Sequence, residues 1–334
     1  MTPLVSVLLP AFDAEPTLVP ALQSVRRQTE ARWECVVVDD GSEDGTPRTA
    51  EAAAATDDRF LIVRTPHRGL AAALATGLAR CRGRFIARMD ADDLMHRERL
   101  ARQVGALEAD ASLAAVGCHV RLFPRAQLGR GWRSYERWLN AIDSVERVRA
   151  EAFVECPVAH PSLMIRRELL VEFGYRDRGW PEDYDLLLRL LARGHRVGIV
   201  ARRLLAWRNH PARISLTDAR YAPASFTACK AAFLAAHFLA GVEEYDLWGY
   251  GATGRTLRRA LLAEGKRPAH VVDLHPGRLG QTIHGAAVVV PDEIPRLPRR
   301  PLVVSVAGAG PRRQIRDALT AMGLRELDDF VCAA

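Results

Sequence analysis

The chain is 334 residues long with 49% apolar and 26% charged residues, a composition that supplies one or two full cores and excludes the disordered class. At about 150 residues per domain the length predicts two domains. Of the 47 basic residues only Lys230 and Lys266 are lysines, so the net charge of +7 is carried almost wholly by arginine. A basic balance alone admits nucleic acid, an anionic membrane or an anionic small substrate. Its position narrows the choice. Residues 1–110 hold 14 basic against 17 acidic residues, 111–240 hold 20 against 12, and 241–334 hold 13 against 11. The excess lies in the middle third, and with no recognition helix or stacking motif beside it no nucleic-acid partner is expected.

Leu4–Leu9 is a continuous apolar run ending at Pro10, the pattern of a buried strand. Helix Thr17–Gln28, strand Trp33–Val38, helix Thr46–Ala55, strand Phe60–Val63, helix Leu70–Ala79 and strand Arg84–Met89 follow. Such alternation predicts β-α-β crossovers and a mostly parallel sheet, which binds ligands at the carboxyl ends of its strands. From Arg121 to Arg149 the pattern loosens into a basic segment interleaved with Phe123, Trp132, Tyr135 and Trp138. Helix Val145–Phe153, strand Ser162–Ile165, helix Asp183–Leu191 and strand Ala201–Trp207 come next, and Ala222–Gly241 reads as a helical linker. A fresh β-α-β then begins with strand Asp246–Trp248, helix Arg255–Leu262 and strand His270–Asp273, continuing through strands Ala287–Val290 and Leu302–Ala307 to helix Arg312–Ala321. The division expected is a domain over 1–220, a linker over 221–243 and a small domain over 244–334.

Cys35, Cys81, Cys118, Cys156, Cys229 and Cys332 lack C-x-x-C spacing and sit mostly in apolar runs. Reduced core thiols, with neither disulfide framework nor zinc site, are expected of a cytoplasmic protein. The N-terminus reads directly as a strand and no uncharged apolar stretch reaches 18 residues, so neither signal peptide nor membrane span is predicted.

The strand ends carry Pro10-Ala11-Phe12-Asp13, Asp39-Asp40-Gly41-Ser42 and Asp90-Ala91-Asp92-Asp93. Adjacent carboxylates repel, and a hard divalent cation bound through one or two of them together with substrate phosphates relieves that cost. A D-x-D alone is a weak signal that reads more readily as a solvated loop. These segments, with His160-Pro161-Ser162 and Glu182-Asp183-Tyr184-Asp185-Leu186 in that order, resemble the family-2 glycosyltransferases of the GT-A (nucleotide-diphospho-sugar transferase) fold over roughly residues 4–218. The resemblance implies an α/β fold with a mixed, mostly parallel sheet flanked by helices. It also implies an inverting, metal-dependent transfer of a sugar from a nucleotide-diphosphate sugar to a hydroxyl acceptor, a glycan or lipid-linked glycan.

By that resemblance Asp183 is the general base. Pro10, Phe12, Asp39, Asp40, Arg68, Asp90, Arg208 and Arg213 bind the donor nucleotide, and Asp92 and His210 hold Mg²⁺ or Mn²⁺. Taken alone, Asp183 is equally a first-turn carboxylate serving helix N–H groups, and His210 a loop residue before Pro211. His160 is an acceptor-side or a packed histidine. The sequence departs from the family with His67 and Ala75 where relatives carry asparagines, and with Asp13 at the first strand's end, which leaves base and sugar open. The basic stretch 121–149 reads as a face for an anionic acceptor at the inner membrane surface or as a solvated loop.

Gly249-Tyr250-Gly251-Ala252-Thr253-Gly254 follows a strand and opens a helix, with Asp273 19 residues beyond Gly254. That context fits a dinucleotide-binding turn, and the segment resembles small Rossmann-like domains of sugar-modifying enzymes. The expectation divides between a site for NAD or a nucleotide sugar, formed by Gly249, Gly251, Gly254 and Asp273, and a structural or homodimerising domain. A non-catalytic nucleotide-sugar sensor acting through this domain is the alternative to an enzyme.

Overall fold

The computed structural model describes residues 2–334, whose contacts divide the chain into two compact units. The first comprises residues up to Val148, Val158–Arg178 and Asp185–Arg213. The second comprises Arg149–Pro157, Gly179–Tyr184 and Ile214–Ala334.

The first unit is built on an eight-stranded sheet: β1 (Val5–Ala11), β2 (Trp33–Asp39), β3 (Phe60–Arg64), β4 (Phe85–Arg88), β5 (Leu94–Met95), β6 (Leu113–Phe123), β7 (Met164–Arg166) and β8 (Arg196–Arg208). Their order is β3-β2-β1-β4-β7-β6-β8-β5. The four strands β3-β2-β1-β4 are parallel, and β7 enters antiparallel beside β4. Every residue of β1 and β2 is buried, as expected of parallel strands covered on both faces and readable as unbroken apolar runs. Crossovers run through α1 (Glu15–Arg26), α2 (Thr46–Thr56) and α3 (Leu70–Leu78), while α4 (Arg99–Ala109) precedes β6. The expected alternation is present to within a few residues at each end. The three parallel crossovers leave from the carboxyl ends of β1, β2 and β3, and the Asp90–Asp93 run follows the carboxyl end of β4.

The middle third is more ordered than its sequence pattern. The run from Arg121 completes β6 and then forms α5 (Arg130–Leu139) and α6 (Val145–Glu151), with α7 (Arg167–Phe173) further on. Trp132, Tyr135 and Trp138 recur at helical spacing and pack against the core. The Glu136 carboxylate accepts the Leu122 N–H at 3.0 Å, and Asn140 pairs with both backbone groups of Val120 at 2.9 and 2.8 Å. The aromatic half of the basic segment is therefore an anchor, and Arg130, Arg133 and Arg137 occupy its exposed face. Helix α8 (Glu182–Ala192) and the short α9 (Ile214–Thr217) bracket β8.

In the second unit, α10 (Pro223–Phe233) continues into a π-helical turn over Leu234–Phe238. Ala231, Leu234 and Leu239 of this stretch, expected to be a linker, lie in the core of the unit. The sheet contains β9 (Glu244–Trp248), β10 (Arg267–Val272), β11 (Thr282–Ile283), β12 (Ala286–Val289), β13 (Leu302–Val304) and β14 (Phe330–Cys332), ordered β11-β12-β10-β9-β13-β14. All neighbours are parallel except the β11 edge. Counting only the parallel strands in chain order, the sheet runs 3-2-1-4-5, with its direction reversing between β9 and β13. Helices α11 (Ala252–Ala263) and α12 (Ala309–Ala321) follow those two strands. Among the described residues no helix is long and apolar enough to cross a membrane, and none of the six cysteines is in a disulfide.

Candidate active site

At the end of β1, Phe12 is 46% exposed and stacks on the His67 ring at 4.1 Å. Asp39 and Asp40, at the end of β2, are both buried. Asp39 accepts the Ser42 N–H at 3.1 Å and lies 3.5 Å from the Arg64 guanidinium. Asp40 accepts the N–H groups of Arg68 and Gly69 at 3.1 and 2.8 Å, fastening the 65–69 loop beside the strand ends. Both aspartates thus shape loops, while the Arg68 side chain is exposed. Gly41, at φ +78°, lets the chain pass so near that a Cβ would lie 2.6 Å from the His67 nitrogen.

Strand β4 ends in the acidic cluster. Ligand atoms of Asp90, Asp92 and Asp93 all lie within 4.8 Å of one another. Buried Arg88 forms an ion pair with Asp90, and His210 Nε2 lies 3.1 Å from Asp92 Oδ2. Arg208 donates its backbone N–H to Asp93 Oδ1 at 2.7 Å and its Nε–H to the Asp92 carbonyl at 2.8 Å, with its guanidinium 4.5 Å over the Phe123 ring. Arg213 stacks over Trp207 at 4.3 Å. The structure therefore brings Asp90, Asp92, Arg208 and His210 together, and Arg213 lies in the loop that follows β8.

Asp93 was not singled out in the sequence, yet it is the most buried of the three carboxylates, and its Oδ2 has no hydrogen-bond partner. Burial and the charges of Asp90 and Asp92 push its carboxyl well above the usual range, and burial with Asp90 raises Asp92 also. Crowded oxygen ligands around an orphaned buried oxygen fit a hard divalent cation. Behind the cluster, fully buried Arg99 donates to the carbonyls of Arg88 and Leu163 at 2.8 and 3.4 Å and to Gln103 Oε1 at 3.0 Å. The available signal for Arg88 was an arginine ending an otherwise apolar strand. Arg99 carried none.

In the first turn of α8 three carboxylates have distinct surroundings. Glu182 is buried and accepts the Tyr221 hydroxyl at 2.5 Å. Asp185 is buried against Arg189 at 2.7 Å. Asp183 is the half-exposed one, with Oδ1 accepting the Tyr184 N–H at 2.7 Å. His160 is buried with its Nε2 3.0 Å from the Tyr175 hydroxyl.

The glycine turn of the second unit opens α11. A Cβ on Gly254 would lie 2.1 Å from the Gly249 carbonyl oxygen, whereas one on Gly251 would meet nothing within 4 Å. Asp273 is engaged, bonding Arg278 at 2.7 Å and the His275 N–H at 2.9 Å.

The chain is similar to several known proteins. EpsE of Bacillus subtilis, a putative glycosyltransferase, is 34% identical over 200 residues, covering 58% of this chain and 69% of that protein. Two other curated relatives are matched over only 27% and 58% of their own length. Among solved structures, S. aureus TarS in complex with UDP-GlcNAc superposes with a TM-score of 0.56 at 14% identity over 78% of this chain and 72% of that one, showing the GT-A fold. The mannosyltransferase PcManGT of Pyrobaculum calidifontis, solved with GDP-Man and Mn²⁺, gives a TM-score of 0.51 at 25% identity over 79% of this chain and 70% of that one. A family model described as glycosyl transferase family 2 matches residues 6–174, half of the chain. The strand-end acidic cluster, the sheet that carries it and this match agree: the chain belongs to glycosyl transferase family 2.

Proposed function

We propose that this glycosyltransferase moves a sugar, with inversion, from a nucleoside diphosphate donor to a hydroxyl of a glycan or lipid-linked glycan. Asp183 takes the proton of the acceptor hydroxyl as its oxygen bonds to the sugar C1, while the C1–O bond to the diphosphate breaks and its electrons leave with the nucleoside diphosphate. Of the three carboxylates in its turn, Asp183 is the one with solvent exposure. Arg208 and Arg213 bring positive charge to the donor diphosphate. Asp92, with Asp90, Asp93 and His210, would hold a divalent cation, which supplies charge neutralisation at the leaving group. Phe12 and His67 offer stacking surface for the base. The observation that carries the reading is the crowded carboxylate trio with the orphaned Asp93 oxygen, set between Arg88 and the β8 segment.

A Rossmann-like reading of residues 244–334 draws support from the 3-2-1-4-5 strand order and the glycine turn. The pairing of Asp273 with Arg278 favours a structural role over a dinucleotide site.

The test is nucleoside diphosphate release from UDP-glucose, UDP-N-acetylglucosamine and GDP-mannose with Mn²⁺, Mg²⁺ or EDTA, joined to calorimetric titration with the matching nucleoside diphosphate. EDTA is expected to abolish turnover, and Asp92→Ala to abolish metal-dependent nucleotide binding. Asp183→Asn is expected to lower kcat by about 10²–10⁴-fold with nucleotide affinity kept. NAD is expected to give no heat. Full turnover by both variants would sink the assignment.

A further inference from the structure

The compact unit that contains the C-terminal sheet also contains Asp183. Its three segments are fastened to one another by buried contacts. Tyr184, fully buried, stacks on Phe226 of α10 at 4.2 Å with the rings 8° from parallel, and its hydroxyl donates to the Ala152 carbonyl at 2.7 Å. On the other side of Asp183, Tyr221 holds Glu182.

The strap 149–157 that receives the Tyr184 hydroxyl is itself secured along its length. Arg316 of α12 bonds Glu151 at 2.6 Å and the Ala150 carbonyl at 3.1 Å, with Arg312 3.4 Å from the same glutamate. Lys230 of α10 donates to the carbonyls of Val154 and Ala333 at 3.2 and 2.7 Å. Phe153 and Val154 pack into the two hydrophobic clusters of the C-terminal sheet. Glu155 lies near enough to Asp183 to feel its charge: burial chiefly, and that charge in addition, raise its carboxyl. Both neighbours of Asp183 in sequence are thus locked by residues of the C-terminal unit.

We propose that the C-terminal unit is the positioning platform of the general base, with Tyr184, Phe226 and the 149–157 strap as its positioning residues. The inference rests on Asp183 being the base. A carboxylate that must meet a hydroxyl at hydrogen-bond distance gains its rate from being held there, and a displacement of about 1 Å transmitted from a remote residue can cost 10²-fold. Phe226 supports the ring of the residue next to Asp183, and the strap fixes the height of that ring through one hydroxyl. An independent ligand-binding module would need none of these contacts with the α8 turn.

The test uses full-length Phe226→Ala, Phe226→Tyr, Tyr184→Phe and Asp183→Asn. It measures kcat and donor KM for whichever of UDP-glucose, UDP-N-acetylglucosamine and GDP-mannose is turned over, and calorimetric affinity for the matching nucleoside diphosphate with Mn²⁺. Phe226→Ala is expected to lower kcat by about 10–10²-fold, with donor KM and nucleotide affinity within about twofold, and Phe226→Tyr to restore most of it. Tyr184→Phe keeps the ring and removes only the bond to Ala152, so it decides the matter if Phe226→Ala does not fold; a fall in kcat of about threefold or more at unchanged KM is expected. Wild-type kcat in Phe226→Ala and Tyr184→Phe, beside an inactive Asp183→Asn, would overturn the platform and leave the base reading standing. An active Asp183→Asn would overturn the base assignment, and the platform with it.

Discussion

Replacing Gly254 by alanine separates the two meanings a glycine-rich turn can have. The added Cβ would lie 2.1 Å from the Gly249 carbonyl oxygen and 2.7 Å from Ser305 Oγ, where ordinary contact begins at 3.4 Å. About 1.3 Å must therefore be opened against a backbone oxygen that accepts the Ser305 hydroxyl at 2.7 Å. Overpacking of this kind costs about 1–3 kcal/mol, and loosening the Ser305 bond adds about 0.5–1.5 kcal/mol. Alanine's better helix propensity returns at most about 1 kcal/mol. The steric effect wins, and Gly254→Ala is expected to destabilise the second unit by about 1–3 kcal/mol in urea unfolding followed by circular dichroism. Gly251→Ala is the control: its Cβ meets nothing within 4 Å, so it should shift stability by about 0.5 kcal/mol or less. If Gly254→Ala matched wild type, the reasoning that helix-to-strand packing requires this glycine would be refuted.

Arg99→Met takes the Arg99 donor from the Arg88 and Leu163 carbonyls and Gln103 Oε1. At about 1–3 kcal/mol for each buried unsatisfied group, partly offset by no longer burying a guanidinium, a net loss of about 2–4 kcal/mol is expected in urea unfolding. Mn²⁺ affinity by calorimetry should weaken with it, because the Arg88 carbonyl lies two residues before Asp90. Burial holds the Lys230 ammonium down to about 8 against its ordinary 10.5. The folded value lies below the unfolded one, so between pH 8 and 10.5 the unfolded chain binds more protons and this group's contribution to stability rises with pH. Wild type should gain stability relative to Lys230→Met across that window, and a constant difference would contradict the assignment.

Those parts of the fold and site that depend on local pattern were legible. Unbroken apolar runs at Val5–Ala11 and Trp33–Asp39 announced buried parallel strands, and the Asp90-Ala91-Asp92-Asp93 run at a strand end announced the cluster. Features that depend on tertiary partners were not. Trp132, Tyr135 and Trp138 read as an interleaved basic-aromatic loop because the exposed arginines between them mask the helical spacing. The two loop N–H partners of Asp40 lie 28 and 29 residues away, beyond what its strand-end position in the sequence reveals. The roles of Asp93, Arg99 and Tyr184 are set by burial against distant segments, which no short window of sequence contains. The pairing of Asp273 with Arg278, five residues on, is likewise a product of the folded loop and not of the glycine spacing that singles Asp273 out.

Because the second unit takes in Arg149–Pro157 and Gly179–Tyr184, which are interleaved in sequence with segments of the first unit, the order of synthesis bears on when the enzyme can work. Domains fold as they leave the ribosome, N-terminal parts first, yet the strap and the α8 turn have partners in Tyr221, α10 and α12. The donor-side strands can assemble early. The turn with Asp183 must wait for Tyr221 and α10, so a nascent chain would present a formed sheet with that turn still unanchored. A fragment cut near residue 220 inherits the same defect.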